Sequence, residues 1–240
     1  MIHLRYDPVV RSYGQFCPAA HALDLVGERW TLLVIRELLF GPKRYTDLQD
    51  GLPGIGPNVL AARLRKLEEA GLVAKKRLPP PAASTVYELT ASGEDLRPVL
   101  HALFRWGLQV ISTPAADEAV RASYWLAGIE AAADPTAVTD DVDDVYELVI
   151  GAEVITVSVK RGRIAVRAGR AESPDLVVEL DPRTLIALGR GDITVVEAVA
   201  EGRITVEGDE DAAARCAAIF ASGREVLQTA PGARLSPVSS

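Results

Sequence analysis

The sequence predicts an α+β protein of two domains, and three observations predict it. Apolar residues recur at helical spacing through most of the first half, broken by one short extended pair, whereas from Asp144 apolar and polar residues alternate. Net charge changes sign between these textures. Residues 1–113 carry 14 Lys and Arg against 11 Asp and Glu, a net of +3, which leaves 12 against 22, a net of −10, for residues 114–240. A chain of 240 residues also exceeds the usual single domain, so two cores of roughly 100 to 130 residues are expected.

Composition excludes several classes. At 48% hydrophobic and 25% charged, the chain has no apolar run of the roughly 18 residues a bilayer span needs. The N-terminal stretch is interrupted at Arg5, Asp7, Arg11 and Gln15, unlike a secretory signal, so a cytoplasmic protein is expected. Cys17 and Cys216 are too few for a disulfide framework. A polyanionic partner suits only the basic first half.

Helical spacing marks Ala20 to Val26 and Trp30 to Phe40, the latter stopped by Gly41-Pro42. A short helix follows from about Thr46, whose hydroxyl can cap it while Tyr45 packs back on the chain beyond. Pro57 suits the first turn of the next helix and Gly71 its left-handed end. LVAKKRLPPPAASTVYELT then reads as a hairpin with Lys75, Lys76 and Arg77 on its first arm. A longer helix runs to Ile111 with a stripe of Leu96, Leu100, Leu103, Phe104 and Leu108, and Pro98 in its first turn. Ser112 to Ala116 is the expected linker. Beyond a further helix, two or three strands turn at Arg161-Gly162-Arg163. LVVEL is another strand, Asp181-Pro182 opens a helix, a short helix runs to about Ala200, EGRITVEGD is a strand, and Asp209 caps a last helix through Phe220.

Function concentrates in GPNVLAARLRKLEEAGLV, Gly56 to Val73. On a helical wheel Leu60, Leu64 and Leu67 form the buried stripe, while Asn58, Ala62, Arg65 and Glu69 point away, with Ala61 and Lys66 on the flanks and Arg63 at the boundary. Polar side chains near a helix start reach base edges, small ones allow close approach to a thymine methyl, and arginines satisfy guanine or phosphate. A cationic face on an isolated helix is ordinarily only solvated. Here a preceding short helix bearing Thr46 and a basic hairpin converge on the same partner.

CPAAHALDLVGERWTLLVIRELLFGPKRYTDLQDGLPGIGPNVLAARLRKLEEAGLV, followed by VYELTASGEDLRPVLHALFRWG, resembles the HxlR family of winged helix-turn-helix transcription regulators over about residues 12–111. The resemblance implies a three-helix core with a β-hairpin wing and a dimerisation helix, and a homodimer that sets two recognition helices in successive major grooves. Gly93 to Ile111 would contribute to the dimer interface. A serine common in the family before the recognition-helix proline is Gly56 here, and bulkier polar residues are replaced by Ala61 and Ala62. Cys17 resembles the cysteine some relatives use to sense oxidants or electrophiles. Cys216, on the apolar side of its helix with Phe220, reads as a buried structural thiol.

GAEVITVSVKRGRIAVRAG, PDLVVELDPRTLIALGRGDI and EGRITVEGDEDAAARCAAIF make the second half resemble the sterol carrier protein type 2 superfamily. That implies an α/β sandwich holding an apolar molecule between sheet and helices. Trp125, Ile129, Leu185, Leu188, Val195, Val199 and Phe220 are its candidate lining residues, with ordinary core packing as the alternative for each.

Catalysis has little support. His3, His21 and His101 are scattered, Cys17 and His21 supply two ligands where structural zinc needs four, and no glycine-rich phosphate loop occurs. Asp140 to Asp144 lacks the following ligands of a calcium loop. The reading is a non-enzymatic, cofactor-free regulator, most naturally a repressor, that binds a double-stranded DNA operator as a homodimer and responds to a hydrophobic small-molecule effector. The expected layout is a winged helix-turn-helix domain in 1–113, a sterol-carrier-like ligand domain in 114–230 and a flexible tail in 231–240. In the phosphate-facing set are Arg63, Lys66, Lys75, Lys76 and Arg77; in the base-facing set are Asn58, Ala61, Ala62 and Arg65. Two alternatives stay open: a lipid or small-molecule carrier that uses the winged helix to dimerise, and a redox regulator acting through Cys17.

Overall fold

Pro18 at the first helical position starts α1 (Pro18–Val26), and the chain then turns through Gly27 to Trp30. The computed structural model describes residues 12–79, 83–111 and 121–221. The hairpin turn at 80–82, the linker at 112–116, the expected boundary at 113/114, the tail and His3 lie outside the described residues. By backbone proximity the chain divides between Leu103 and Phe104.

In the first unit, Trp30 adopts φ 78, so α2 (Thr31–Leu38) starts one residue later than its apolar spacing suggests. A left-handed tryptophan is strained, and the packing of its indole against the core offsets the cost. A two-residue strand, β1 (Lys43–Arg44), leads into α3 (Tyr45–Gly51). The expected Thr46 cap is corrected here: Arg44 is the N-cap, its N–H donates to Asp47 Oδ2 at 2.9 Å, and Thr46 stands exposed in the first turn. Tyr45 packs on the core and its hydroxyl donates to Pro57 O at 2.7 Å, fixing the start of α4 (Pro57–Glu69). Glu37 is a buried carboxylate that accepts from Arg36 at 2.8 Å and from Lys43 at 2.5 Å, so α2 and β1 are tied by a satisfied charge.

Leu60, Leu64 and Leu67 of α4 enter one core with Val34, Ile35, Leu38, Leu48 and Leu52. After Gly71, at φ +70, come β2 (Val73–Arg77) and β3 (Thr85–Leu89), and β1 adds to β3 to give an antiparallel sheet of order β1-β3-β2. Thr90 then caps α5 (Ala91–Glu94), accepting from Gly93 N–H and donating to Gly71 O at 2.6 Å. Gly93 is needed because a Cβ there would lie 2.1 Å from Leu72 O. In α6 (Arg97–Leu108) the expected single stripe divides: Leu100 and Leu108 are buried, but Leu103 is exposed with Val99 and Trp106. The helix begins at Arg97, which donates to Leu39 O at 2.9 Å, and this seating sets which face turns inward.

The second unit is built on a five-stranded sheet of order β6-β5-β4-β7-β8. β4 (Asp143–Ile150), β5 (Glu153–Lys160) and β6 (Arg163–Ala168) form an antiparallel meander, with Lys160 opposite Arg163 across a two-residue turn of Arg161 and Gly162, both left-handed. β7 (Leu176–Leu180) pairs parallel to β4 and antiparallel to β8 (Ile204–Gly208). α7 (Ala122–Ala132) packs on β5 and β6, and its Ala122 N–H is capped by Glu153 Oε2 at 2.7 Å. α8 (Pro182–Arg190) and α10 (Glu210–Ala221) are capped by Asp181 and Asp209 as their sequences indicate; α9 (Val195–Ala200) carries a Thr194–Glu197 capping box.

α10 is fastened to β4 by one charged network. Arg215 donates to Asp144 through Nε at 2.6 Å and Nη2 at 2.9 Å, and the fully buried Tyr146 hydroxyl donates to the same carboxylate at 2.7 Å. The Arg215 guanidinium holds the Asp144 carboxyl below its ordinary range, while burial raises the Tyr146 phenol. A carboxylate with a depressed folded pKa stabilises the fold above its unfolded pKa, and that contribution is lost as pH falls through the folded value. Asp144→Asn is therefore expected to cost about 1–3 kcal/mol in urea unfolding at pH 7. The difference from wild type should shrink below about pH 4; a pH-independent difference would contradict the linkage.

Candidate nucleic-acid interface

Burial of the leucine stripe turns the opposite side of α4 outward. Asn58, Arg65 and Glu69 are exposed, and Ala61 and Ala62 are half-buried beside them. Gly56 and Pro57 begin the helix without a side-chain cap; Pro57 has no N–H, and the Val59 and Leu60 N–H groups both donate to Gly56 O at 3.0 Å. Arg65 makes no ion pair with any described residue.

Arg63 and Lys66 are placed differently. Both pair with Glu28, in the turn between α1 and α2, and Arg63 Nε also donates to Arg29 O at 3.2 Å. Lys66 first, against the opposing effect of partial burial, and Arg63 with it hold the Glu28 carboxyl below its usual range. Two expected phosphate contacts thus have a partner within the protein.

On the wing, Lys75, Lys76 and Arg77 are exposed along β2. Lys75 Nζ lies 5.8 Å from the Tyr87 ring centroid and Lys76 lies 3.5 Å from Glu88 across the β2–β3 pair, whereas Arg77 has no ion pair among the described residues. Thr46 is exposed on α3, and Arg44, which sequence reading missed, is exposed at its N-cap. Its signal was its place two residues before Thr46. Arg44, Arg65, Lys75, Lys76 and Arg77 are thus exposed cations on α3, α4 and the wing, Lys76 with Glu88 beside it.

Of the seven apolar residues singled out in the second half, Trp125 and Ile129 are buried, and Leu185, Leu188 and Phe220 are half-buried. Trp125 meets Phe104 edge to face at 6.0 Å between centroids, over Gly128, whose absent Cβ makes room for the Phe104 ring. Val195 and Val199 are 36% and 45% exposed, on the flank of α9, and Ala198 is the residue of α9 buried in the core with Ile193 and Ile204. Capping by Thr194 fixes that rotation. Among the described residues no three His, Cys, Asp or Glu form a metal-holding group, and no helix is long and apolar enough to cross a membrane.

The model of the HxlR-like helix-turn-helix family matches residues 25–114. A helix-turn-helix-type transcriptional regulator of Synechocystis, itself uncharacterised, is 37% identical over 107 residues, 45% of this chain and 78% of that protein. The chain belongs to the HxlR-like helix-turn-helix family. YodB of Bacillus subtilis, another helix-turn-helix-type transcriptional regulator, is 35% identical over 94 residues, 39% of this chain and 84% of YodB. The solved reduced form of YodB is 32% identical and covers 42% of this chain and all of that one, with a TM-score of 0.37. Residues 129–221 match the model of the SCP-2 sterol transfer family.

The two cysteines separate by environment. Cys17, the N-cap of α1, is half-buried and makes no side-chain cap bond, while burial, with the charge of Asp144, pushes the Cys216 thiol up to about 12. Iodoacetamide at pH 8 is expected to alkylate Cys17 at least tenfold faster than Cys216 in the folded protein, read by peptide mass spectrometry. Equal rates would contradict the burial of Cys216.

Proposed function

We propose that the chain is a homodimeric, DNA-binding transcription regulator, acting as a repressor, whose second domain binds an apolar effector. The observation that carries this reading is the exposed face of α4. Its polar start, small middle and single outward arginine fit a major groove, with a basic wing positioned for adjacent backbone. Asn58, Ala61, Ala62 and Arg65 would face bases, and Lys75, Lys76, Arg77 and Thr46 would meet phosphates. Arg63 and Lys66 join the phosphate set only in exchange for Glu28.

Dimerisation is supported by α6. Val99, Leu103, Trp106 and Val110, spaced four, three and four residues apart, are 49%, 44%, 60% and 64% exposed, an apolar stripe at the helix surface and its C-terminal turn. A second copy of the same stripe would cover it.

Effector binding is supported by the match of residues 129–221 to a sterol transfer family. Trp125, Ile129, Leu185, Leu188 and Phe220 would line the site, with Val195 and Val199 at its edge, since both are partly exposed. An effector regulates DNA binding only if its affinity differs between two dimer geometries. A second reading, regulation by oxidation of Cys17, is favoured by that thiol's partial exposure and predicts oxidant release of DNA that Cys17→Ser abolishes.

Two measurements test the principal reading. On a duplex selected from genomic fragments, Arg65→Ala should weaken binding about 10- to 100-fold. Trp106→Glu should leave a monomer in analytical ultracentrifugation; unchanged affinity for the first variant, or an unchanged dimer for the second, would sink the corresponding assignment. Titration of sterols and long-chain fatty acids should shift operator affinity for at least one ligand. Binding with no shift would leave a carrier, and no binding would remove the effector.

A further inference from the structure

One anion of the chain itself occupies the flank of α4. Glu28 meets Lys66 Nζ through Oε1 and Arg63 Nη2 through Oε2. The two arms are unequal. The Arg63 side chain is 16% exposed and is held twice, by Glu28 and by the Arg29 carbonyl. Lys66 and Glu28 are both 39% exposed, and Lys66 has Glu28 as its one ion-pair partner among the described residues. The turn that presents Glu28 is fixed in turn by Trp30, left-handed and packed on the core. Arg63 is thus an anchor, and Lys66 an arm that solvent, or another anion, can reach.

Lys66 follows Arg65 directly, so its stem leaves the helix about 100° around from the outward arginine, between the exposed face and the 28–30 turn. A backbone phosphate seated beside that face offers Lys66 the same charged oxygen acceptor that Glu28 offers. A partly exposed ion pair contributes little to stability, so such an exchange costs little.

We propose that Glu28 stands in for a DNA backbone phosphate. In the free protein and in loose, non-specific complexes it retains Lys66; only a closely seated duplex supplies a phosphate that takes its place. Glu28 is then a discrimination residue, lowering affinity for random sequence while leaving the close complex its full set of cations. This rests on α4 being the DNA-facing helix.

The test is equilibrium binding of the full-length protein to a random-sequence duplex over a series of KCl concentrations, for wild type, Glu28→Gln, Lys66→Ala and the double variant. Glutamine keeps an acceptor for Arg63, so α4 stays seated. Glu28→Gln should bind more tightly at low salt, with a plot of log K against log[KCl] steeper by about 0.9, the signature of one more phosphate contact. Lys66→Ala should leave the wild-type slope nearly unchanged, and in the double variant the extra slope should vanish. A Glu28→Gln slope equal to wild type, or weaker binding, overturns the proposal. If Arg65→Ala weakens binding to the duplex selected from genomic fragments, the failure belongs to Glu28 alone; if it changes nothing on that duplex, the assignment of α4 has failed.

Discussion

Leu60, Leu64 and Leu67 are removed from water, at roughly 1.5–3 kcal/mol each, and because a helix turns 100° per residue their burial fixes the azimuth of every other side chain on α4. Arg65 can point only outward, Arg63 only along the flank, and Ala62 only toward whatever approaches the exposed side. Tyr45 then sets where the helix begins, through its bond to Pro57 O, and the Glu28 turn sets what its flank touches. The face that we propose enters the groove follows from the packing of three leucines in a core.

Three carboxylates hold cations in two different ways. Glu37, buried, joins α2 to β1 with its bonds to Arg36 and Lys43 satisfied, and so positions the strand that carries Arg44 and leads into α3. Asp144 does similar work in the second unit, where Arg215 and Tyr146 share its carboxylate. Glu28 differs because it remains partly in water. A buried carboxylate deprived of its cation is an uncompensated charge, whereas an exposed one can release its partner at little cost. Of the three, Glu28 is the one that can release its cation at little cost.

Much of this was legible because its causes are local. Pro57 and Gly71 bound α4, Asp181 and Asp209 cap their helices, and alternation placed the strands of the second sheet. Other features depend on residues distant in sequence. Glu28 and Lys66 are 38 residues apart, and no periodicity links them. β1 is two residues long, too short for alternation, and pairs because β3 arrives beside it. In VVEAVA of α9 almost every residue is apolar, so spacing could not tell Val195 and Val199 from Ala198; the Thr194 cap and neighbouring Ile193 and Ile204 decided the rotation. Thr46 was an available cap, but Asp47 reaches the Arg44 N–H and the helix starts a residue earlier. The two faces of α6 were merged for the same reason: a helix rich in apolar residues on both sides shows its inward face only when Arg97 and Leu100 are seated.

The central claim is that α4 and the wing read double-stranded DNA as a pair. Footprinting of the full-length protein on fragments of its own genome tests it most directly. The account predicts discrete protected sites made of two symmetry-related half-sites, centred about 10–10.5 base pairs apart or a multiple of that. Protection no greater than that of random sequence, or single half-sites without a partner, would contradict it.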